Sequence, residues 1–506
     1  MKKLILLMAM LALLLVMSAC GNTNANLPSL PNPPTTTQAV DPCKDGHTFT
    51  NEAAVCDKCG VDYFSTTLEF TLSVTRDSYI VSGLGTCTRT VINIPSTHKG
   101  KPVVELASTA FNAVTNPECE KIVEINLPES IRKINSNAFF KCIGLKKITL
   151  NEGIVEMGSD VLRGCTALES LRLPSTMTYV PTGILQYCSG VKSVEIAGQV
   201  TSVDSQAFYD CSSLVSLVLP DTVVTLGAGV FSGCSSLREL RMSSNVTSLS
   251  RDVFNGCTSL EMNTYGGFGY VGNETNPYLM LVRIVDTEIT DFVIHDDTIV
   301  INYNSFSGAT VKSLVIGKNL TNIPYASMND LPYLEYISVT AGNPVYHSVD
   351  NCLIETAAKK LLRGSVNSII PSDGSVLEIG SYSFANLKGL TSIVIPAPVN
   401  KLGGSAFTNC EDIEYAILPN TITSVDLSIF AYCEKMTTVY FHGNATEWMR
   451  FENLVPVSAG GGGMSFGDNY ILLDATHYYY SEEQPTMKGK YWHYVDGQPV
   501  AWEEIV

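Results

Sequence analysis

The chain has 506 residues, enough for three or more ordinary domains or for one extended array of repeats. Its 49 acidic residues outnumber its 32 lysines and arginines, which gives a formal net charge of -17 at pH 7. Because binding to nucleic acid needs a basic surface that displaces condensed counterions, this balance argues against nucleic acid as a partner.

Residues 1–20 have the features of an export signal. Two lysines precede an apolar stretch from Leu4 to Met17, which is too short and too unevenly flanked for a comfortable membrane span. The segment ends in Met-Ser-Ala-Cys, which resembles the lipobox of bacterial lipoproteins, although that family usually has Leu in place of Met17. The resemblance implies that Cys20 is lipidated and becomes the new N-terminus, which would hold the protein on a membrane. The alternative is ordinary secretion with an incidental cysteine.

Residues 21–42 are rich in Asn, Thr and Pro and contain few large apolar residues. Such a composition cannot bury enough surface to fold, and its prolines keep the backbone extended. We therefore expect a tether that spaces a folded body away from the membrane.

Residues 43–66 contain a compact set of metal-ligating residues, which we interpret as a zinc-ribbon-like module. Cys43, His47, Cys56 and Cys59 have the residue types and the C-x2-C spacing that tetrahedral zinc favours. Because the segment has almost no apolar residues of its own, metal binding could supply its folding free energy. All four ligand positions would be filled, so the zinc would be structural. A disulfide between two of the cysteines and an unstructured segment are the alternatives.

Residues 67–118 predict a β-rich N-terminal cap followed by a first repeat. The apolar residues Leu68, Phe70, Leu72 and Val74 alternate with other residues, as in a half-buried strand. A repeat array needs such a cap because its terminal unit otherwise leaves a sheet edge and a core face open.

A 23-residue period is the strongest feature of the sequence. Seven cysteines lie 23 residues apart, and the same spacing returns in a later pair. They are Cys119, Cys142, Cys165, Cys188, Cys211, Cys234 and Cys257, and then Cys410 and Cys433. The segment from Leu214 to Cys234 shows one unit: L-x-x-L-x-L, a turn opened by Pro, a second apolar pair, and an aromatic residue three positions before the cysteine. Repeats of this length indicate a solenoid.

This repeat resembles that of the bacterial BspA-like leucine-rich-repeat family, over roughly residues 122–441. The resemblance implies a surface protein engaged in adhesion or protein binding. From the residues alone, one unit cannot cover its apolar face, but units stacked about 4.8 Å apart form a parallel sheet and align identical side chains. We therefore predict a leucine-rich-repeat solenoid with a parallel β-sheet on the concave face and few or short helices on the convex side. Phe208, Phe231 and Phe254 should superpose in it.

Two interruptions divide the array. Leucine-rich repeats occupy 119–260, a degenerate repeat with an insertion occupies 261–310, and repeats resume over 311–446 with a hairpin inserted near 341–376. We interpret these segments as one solenoid with two decorated repeats, and a split into two shorter solenoids is the alternative.

Residues 447–506 predict an aromatic-rich C-terminal cap that resembles the tails of related repeat proteins. Asp496-Gly497 is a favourable two-residue hairpin turn. The aromatic residues Tyr491, Trp492 and Trp502 offer an alternative function, in which this segment binds carbohydrate or the cell wall.

No motif supports catalysis. The sequence Gly-Met-Ser-Phe-Gly at 463–467 matches a nucleophile elbow, but glycines precede it where a core strand is needed, so we interpret it as a loop. The period-locked cysteines are better explained as packing than as a redox or metal site, because a thiol is a small, often buried group that donates weakly to carbonyls. We expect no enzyme and no cofactor beyond a structural zinc.

Apolar residues that the repeat does not require lie on the outward face of the late strands. They are Tyr336, Val394, Tyr415, Ile417 and Tyr440. Exposed apolar clusters tend to mark contact sites, so these residues are a candidate ligand surface. The alternative is that the inserted hairpin or the C-terminal cap buries them. We expect a lipid-anchored protein on the bacterial surface that binds a protein or glycan partner outside the cell.

Overall fold

The described part of the chain is a β-solenoid of about 16 turns built on a repeat of about 23 residues, with the leucine-rich-repeat fold that the sequence predicts. The computed structural model describes residues 67–196, 199–324, 327–456 and 469–503. These residues belong to one compact unit.

All strands are short, with two to six residues each, because each coil contributes only a brief segment to a sheet. In chain order they are β1 (Glu69–Leu72), β2 (Tyr79–Gly83), β3 (Val91–Asn93), β4 (Thr97–His98), β5 (Lys101–Leu106), β6 (Glu124–Asn126), β7 (Lys133–Ile134), β8 (Lys147–Thr149), β9 (Glu156–Met157), β10 (Ser170–Leu173), β11 (Tyr179–Val180), β12 (Ser193–Ile196), β13 (Ser202–Val203), β14 (Ser216–Val218), β15 (Thr225–Leu226), β16 (Glu239–Arg241), β17 (Ser248–Leu249), β18 (Asn263–Tyr265), β19 (Phe268–Val271), β20 (Met280–Ile284), β21 (Asp291–Val293), β22 (Val300–Ile301), β23 (Ser313–Ile316), β24 (Tyr336–Val339), β25 (Tyr346–Val349), β26 (Cys352–Glu355), β27 (Lys360–Arg363), β28 (Glu378–Ile379), β29 (Ser392–Val394), β30 (Lys401–Leu402), β31 (Tyr415–Pro419), β32 (Ser424–Val425), β33 (Thr438–His442), β34 (Thr476–Tyr480), β35 (Tyr491–Val495) and β36 (Gln498–Ala501).

Helices are few in the described residues: a 3-10 helix Pro117–Lys121, α1 (Ala445–Glu452) and α2 (Tyr470–Asp474). Helix α1 starts at a capping box, in which Asn444 and Glu447 bond to each other's backbone N–H groups. Among the described residues, none of the helices has the length and apolar character needed to cross a membrane.

The strands stack into two parallel columns. The front column contains β3-β6-β8, then β10-β12-β14-β16, then β21-β23-β24, and finally β29-β31-β33-β34-β35. The second column contains two-residue strands such as β11-β13-β15-β17 and β28-β30-β32. Register follows the repeat: Leu217 of β14 lies opposite Leu240 of β16, and Ala416 of β31 opposite Val439 of β33. Equivalent side chains therefore meet in vertical rows.

Aromatic rings superpose from coil to coil inside the solenoid, as predicted. The ring centroids of Phe208 and Phe231 are 5.8 Å apart with an interplanar angle of 10°, and Phe231 and Phe254 are also 5.8 Å apart. The stack recurs in the later coils, where Phe407 and Phe430 lie 4.8 Å apart. All of these rings are buried, so they provide much of the apolar area that stabilises the fold.

Each regular coil turns through two left-handed residues that lie four positions apart. In one coil they are Gly229 (φ 61°) and Gly233 (φ 80°), and in the preceding coil they are Gln206 (φ 58°) and Asp210 (φ 60°). Glycine adopts this conformation without steric cost, whereas other residues do not. Because the same angles recur with either residue type, contacts between coils impose the turn.

A β-rich cap covers the N-terminal end, as predicted. Strands β1 and β2 are antiparallel, and β2 then continues in parallel to β5 of the second column. The alternating apolar residues are not all internal: Leu68 is buried, but Leu72 and Val74 are exposed.

Two hairpins mark the interruptions. In the first, β18 and β19 are antiparallel around Gly266 and Gly267, which both have positive φ. In the second, β25 and β26 form the predicted antiparallel pair near 341–376. The Asp496-Gly497 turn likewise joins β35 to β36.

Arg363 connects the two coils that flank the second interruption. Its buried guanidinium donates to the carbonyl oxygens of Leu331 and Ala385, each at 3.0 Å. Burial lowers the pKa of Arg363 to about 10, so the group stays protonated at neutral pH. Carbonyl dipoles rather than a carboxylate stabilise this internal charge.

Removing one ring from the stack tests the contribution of the column. We expect Phe231→Ala to lower the free energy of unfolding by about 3–5 kcal/mol, because it removes a buried ring and leaves a cavity. Phe231→Leu should cost much less, since Leu185 occupies the same position two coils earlier. Urea unfolding followed by circular dichroism measures both, with the exposed change Val218→Ala as control. Equal losses for Ala and Leu at position 231 would contradict the column argument.

Candidate functional site

Several predicted sites lie outside the described residues. They are Cys20, the zinc ligands Cys43, His47, Cys56 and Cys59, and the Gly-x-Ser-x-Gly segment at 463–467. Within the described ranges, His, Cys, Asp and Glu side chains form no group of three or more that could hold a metal ion.

The cysteine ladder is a set of buried hydrogen-bond donors. The thiol of Cys234 donates to the backbone oxygen of Phe208 at 3.1 Å, and that of Cys257 to Phe231 at 3.1 Å. The same bond, always to the aromatic residue or leucine of the previous coil, occurs at Cys165, Cys188, Cys211, Cys410 and Cys433. These cysteines are free thiols. The ladder therefore joins consecutive coils, and burial removes it from solution chemistry.

Charged side chains on the early front strands pair with each other across coils. Lys147 lies 2.9 Å from Glu124, one strand back, and Arg172 lies between Glu152 and Glu195. The Arg172 guanidinium, with Ser175, lowers the pKa of Glu152 to about 2. Exposed pairs contribute little stability, but they leave few unpaired charges on this face.

The late front strands carry exposed apolar side chains that lie next to an irregular segment of the chain. Tyr336 is 53% exposed and Val394 is 49% exposed. Between them the structure adds Ile369, which is 71% exposed and which the sequence analysis missed because it lies in the irregular segment after the hairpin. We call Tyr336, Ile369 and Val394 the late apolar patch.

The other predicted surface residues are covered to different degrees by the C-terminal strands. Ile417 is only 2% exposed, so it does not belong to an accessible surface. Its register neighbour Tyr440 and the adjacent Tyr415 are half-buried, and their rings meet at 5.5 Å. Ile417 is therefore buried, whereas β34 and β35 extend the front sheet and bring further rings against Tyr440.

Trp492 is the centre of that aromatic cover. It is fully buried, its indole N–H donates to the backbone oxygen of Phe441 at 3.2 Å, and its ring contacts Tyr440, Tyr480 and Tyr494. Trp502 is also engaged, because its ring stacks on His493 with centroids 3.6 Å apart. Burial makes the ring of Trp492 inaccessible to a sugar, whereas Tyr491 and Trp502 are only partly buried.

Two grooves open where the front column is broken. The first, of about 640 Å³, lies between β16 and the β18–β19 hairpin, and its lining includes Arg238, Glu239, Arg241, Glu261 and Glu274. The second, of about 360 Å³, lies between the segment 366–370 and β29. Its lining residues are all uncharged and include two members of the late apolar patch.

Comparisons with known proteins agree with this architecture. A family model described as "BspA type Leucine rich repeat region" matches residues 110–212, 184–274, 285–351 and 363–453, which is more than half of the chain. None of the curated proteins matches the chain.

Solved structures of bacterial proteins are similar to the chain. A leucine-rich repeat protein from Bacteroides ovatus is 22% identical, with 76% of this chain and 95% of that one covered and a TM-score of 0.40. A leucine rich cell surface protein from Faecalibacterium prausnitzii is 18% identical, with coverage of 78% and 97% and a TM-score of 0.31. The pneumococcal vaccine antigen PcpA is 16% identical, with coverage of 82% and 92% and a TM-score of 0.39.

Thiol labelling tests the inertness of the ladder. Burial raises the pKa of Cys188 to about 12 and that of Cys410 to about 11, above the ordinary 9.0. Because the thiolate is the reactive form, we expect iodoacetamide at about pH 8 to leave both unlabelled in the native chain and to label both in urea, as peptide mass spectrometry would show.

The same shifts predict a loss of stability in alkaline solution. The unfolded thiol ionises near pKa 9.0 and native Cys188 only near 12, so its contribution is complete below pH 9 and declines as the pH rises towards 12. Rapid labelling of native Cys188 at neutral pH would contradict both expectations.

Proposed function

This chain belongs to the BspA-type leucine-rich-repeat family, and from that membership we propose that it is a surface-displayed binding protein without catalytic activity. Its family consists typically of binding proteins that are not enzymes. The partner would be a protein or a glycan outside the cell, held by the front sheet. The single observation that carries the proposal is the late apolar patch, because Tyr336, Ile369 and Val394 face solvent in a fold that does not need them there.

The surroundings of the late apolar patch support this location, because Ile369 and Val394 line a groove without charged residues. Early strands pair charges across coils, as Lys147 does with Glu124. Late strands expose side chains whose contact with water is unfavourable and which a partner could cover. Tyrosine, which Tyr336 contributes to the patch, is among the residues that commonly supply most of the binding energy of an interface.

We further propose that the protein is anchored by lipid at Cys20. The support is the export signal and its Met-Ser-Ala-Cys ending, followed by the Pro-rich residues 21–42 that would space the solenoid from the membrane.

Cys20→Ala tests the anchor. We expect the wild-type chain, expressed in a bacterium with lipoprotein processing, to fractionate with membranes and to incorporate labelled palmitate. The Ala variant should lose the label, since the acceptor thiol is gone. Ser18→Ala, which keeps a small residue before the cysteine, serves as control. Membrane retention and palmitate labelling that are unchanged in Cys20→Ala would refute the anchor.

A structural zinc in residues 43–66 is also proposed, with Cys43, His47, Cys56 and Cys59 as its ligands. The support is the residue types and their spacing. One zinc per purified chain by elemental analysis supports the metal, whereas a zinc-free chain with two oxidised cysteines supports the disulfide.

A pair of matched double variants tests the binding face. Ile369→Ser with Val394→Ser removes the apolar groups of the late patch, and Val215→Ser with Val218→Ser removes similarly exposed groups from an early coil. A screen of the full chain against host matrix proteins and glycans first identifies a partner. We then expect the late pair of substitutions to lower the affinity for that partner at least about tenfold, and the early pair to change this affinity less than about twofold. Equal effects of the two pairs would exclude the late patch as the site.

A further inference from the structure

The front sheet splits between β24 and β29. The turns that precede these two strands still stack directly, because Lys388 N–H donates to the backbone oxygen of Pro332 at 2.8 Å. Between the strands themselves lies the irregular segment that follows the inserted hairpin. Val366 N–H of this segment donates to the backbone oxygen of Leu334 at 3.0 Å, so the segment is attached to the β24 side. It acts as a wedge that keeps the two strands apart.

Strand β29 consequently has an open edge. It pairs with β31 alone, and on that side the backbone oxygen of Thr391 accepts from Glu414 N–H at 2.8 Å. In a strand, successive backbone groups point to opposite edges, so those of Ser392 and Val394 point towards the wedge. Within the described residues, no strand pairs with that edge of β29.

The groove beside this edge has the chemistry of a neutral peptide site. Its volume of about 360 Å³ is at the small end of the roughly 300–1,000 Å³ range of ligand sites. Ile369 and Val394 offer exposed apolar contacts, while the lining also contains Asn367, Ser368 and Thr391 and no charged residue. By contrast, five charged residues line the groove beside β16.

We propose that the groove between the segment 366–370 and β29 binds an extended, uncharged peptide segment of a partner protein as an added strand on β29. This inference rests on the proposed binding function and narrows the partner to a protein. The added strand would lie about 4.8 Å from β29 and bond to the backbone of Ser392 and Val394. Alternate side chains of the peptide would then contact Ile369 and Val394.

A peptide fits this groove better than a sugar does. Sugar sites commonly place an aromatic ring against the ligand, and the lining of this groove contains no aromatic residue and no carboxylate. The open strand edge instead offers a row of backbone donors and acceptors that an extended backbone satisfies repeatedly.

Peptide selection on the full chain tests the inference. The probe is a displayed library of random eight-residue peptides, and the affinity of selected synthetic peptides is measured by fluorescence anisotropy. We expect uncharged peptides rich in Val, Ile and Thr. Ser392→Pro should lower the affinity for these peptides at least about tenfold. The substitution removes an N–H that points into the groove, and it removes no N–H that bonds to β31. Ser392→Ala, which keeps that N–H, should bind within about twofold of wild type.

A second variant keeps the test decisive if Ser392→Pro fails to fold. Val394→Asp places a charge in the neutral groove and should also lower the affinity for the peptides at least about tenfold. Val218→Asp on β14 should leave that affinity unchanged. Circular dichroism verifies that each variant is folded.

Four results would overturn the inference: no selected peptide binds, Ser392→Pro binds normally, Val394→Asp binds normally, or the selected peptides are charged and compete at the groove beside β16. Its failure is separable from that of the proposed function. If the screened partner is lost in the Ile369→Ser and Val394→Ser pair but retained by Ser392→Pro, the late patch is a binding face that does not use an added strand.

Discussion

The contact between one coil and the next is the constraint on which this structure depends. In each regular coil, a cysteine thiol donates to the backbone oxygen of the aromatic residue or leucine of the coil before, as Cys234 does to Phe208. The ring of the same column stacks on its neighbour, as Phe208 does on Phe231. Both contacts require a constant pitch, because a shift of one residue would move a polar group into the core.

A constant pitch also explains where the irregular features lie. An insertion cannot occupy the columns without breaking the stack, so β18–β19 and β25–β26 form hairpins between coils. The backbone turns continue past them: Arg363 bonds to carbonyls on both sides of the second interruption. The front sheet is interrupted where the inserted residues lie, and a groove lies at each interruption. The fold thus keeps its core regular and places its variation on one face.

The two ends of the front sheet differ in how they meet solvent. Early strands balance Lys and Arg against Asp and Glu one coil away, which makes a polar and largely neutral surface. At the C-terminal end, β34 and β35 continue the sheet and bring Trp492 over Tyr440, which helps to cover the outward side chains there. The late apolar patch lies between these regions, where neither charge pairing nor the cap covers it.

The sequence by itself determined the solenoid, its 23-residue pitch, the superposition of Phe208, Phe231 and Phe254, and the two later hairpins. These features depend on contacts between residues one period apart or within a single turn, so they can be predicted from the sequence. It placed Tyr336 and Val394 correctly on an open face. Only the tertiary structure decided that Ile417 is buried and Ile369 exposed. Ile369 lies in a segment outside the 23-residue period. The place of Ile417 within the period does not determine how closely the side chains of the neighbouring strands pack over it.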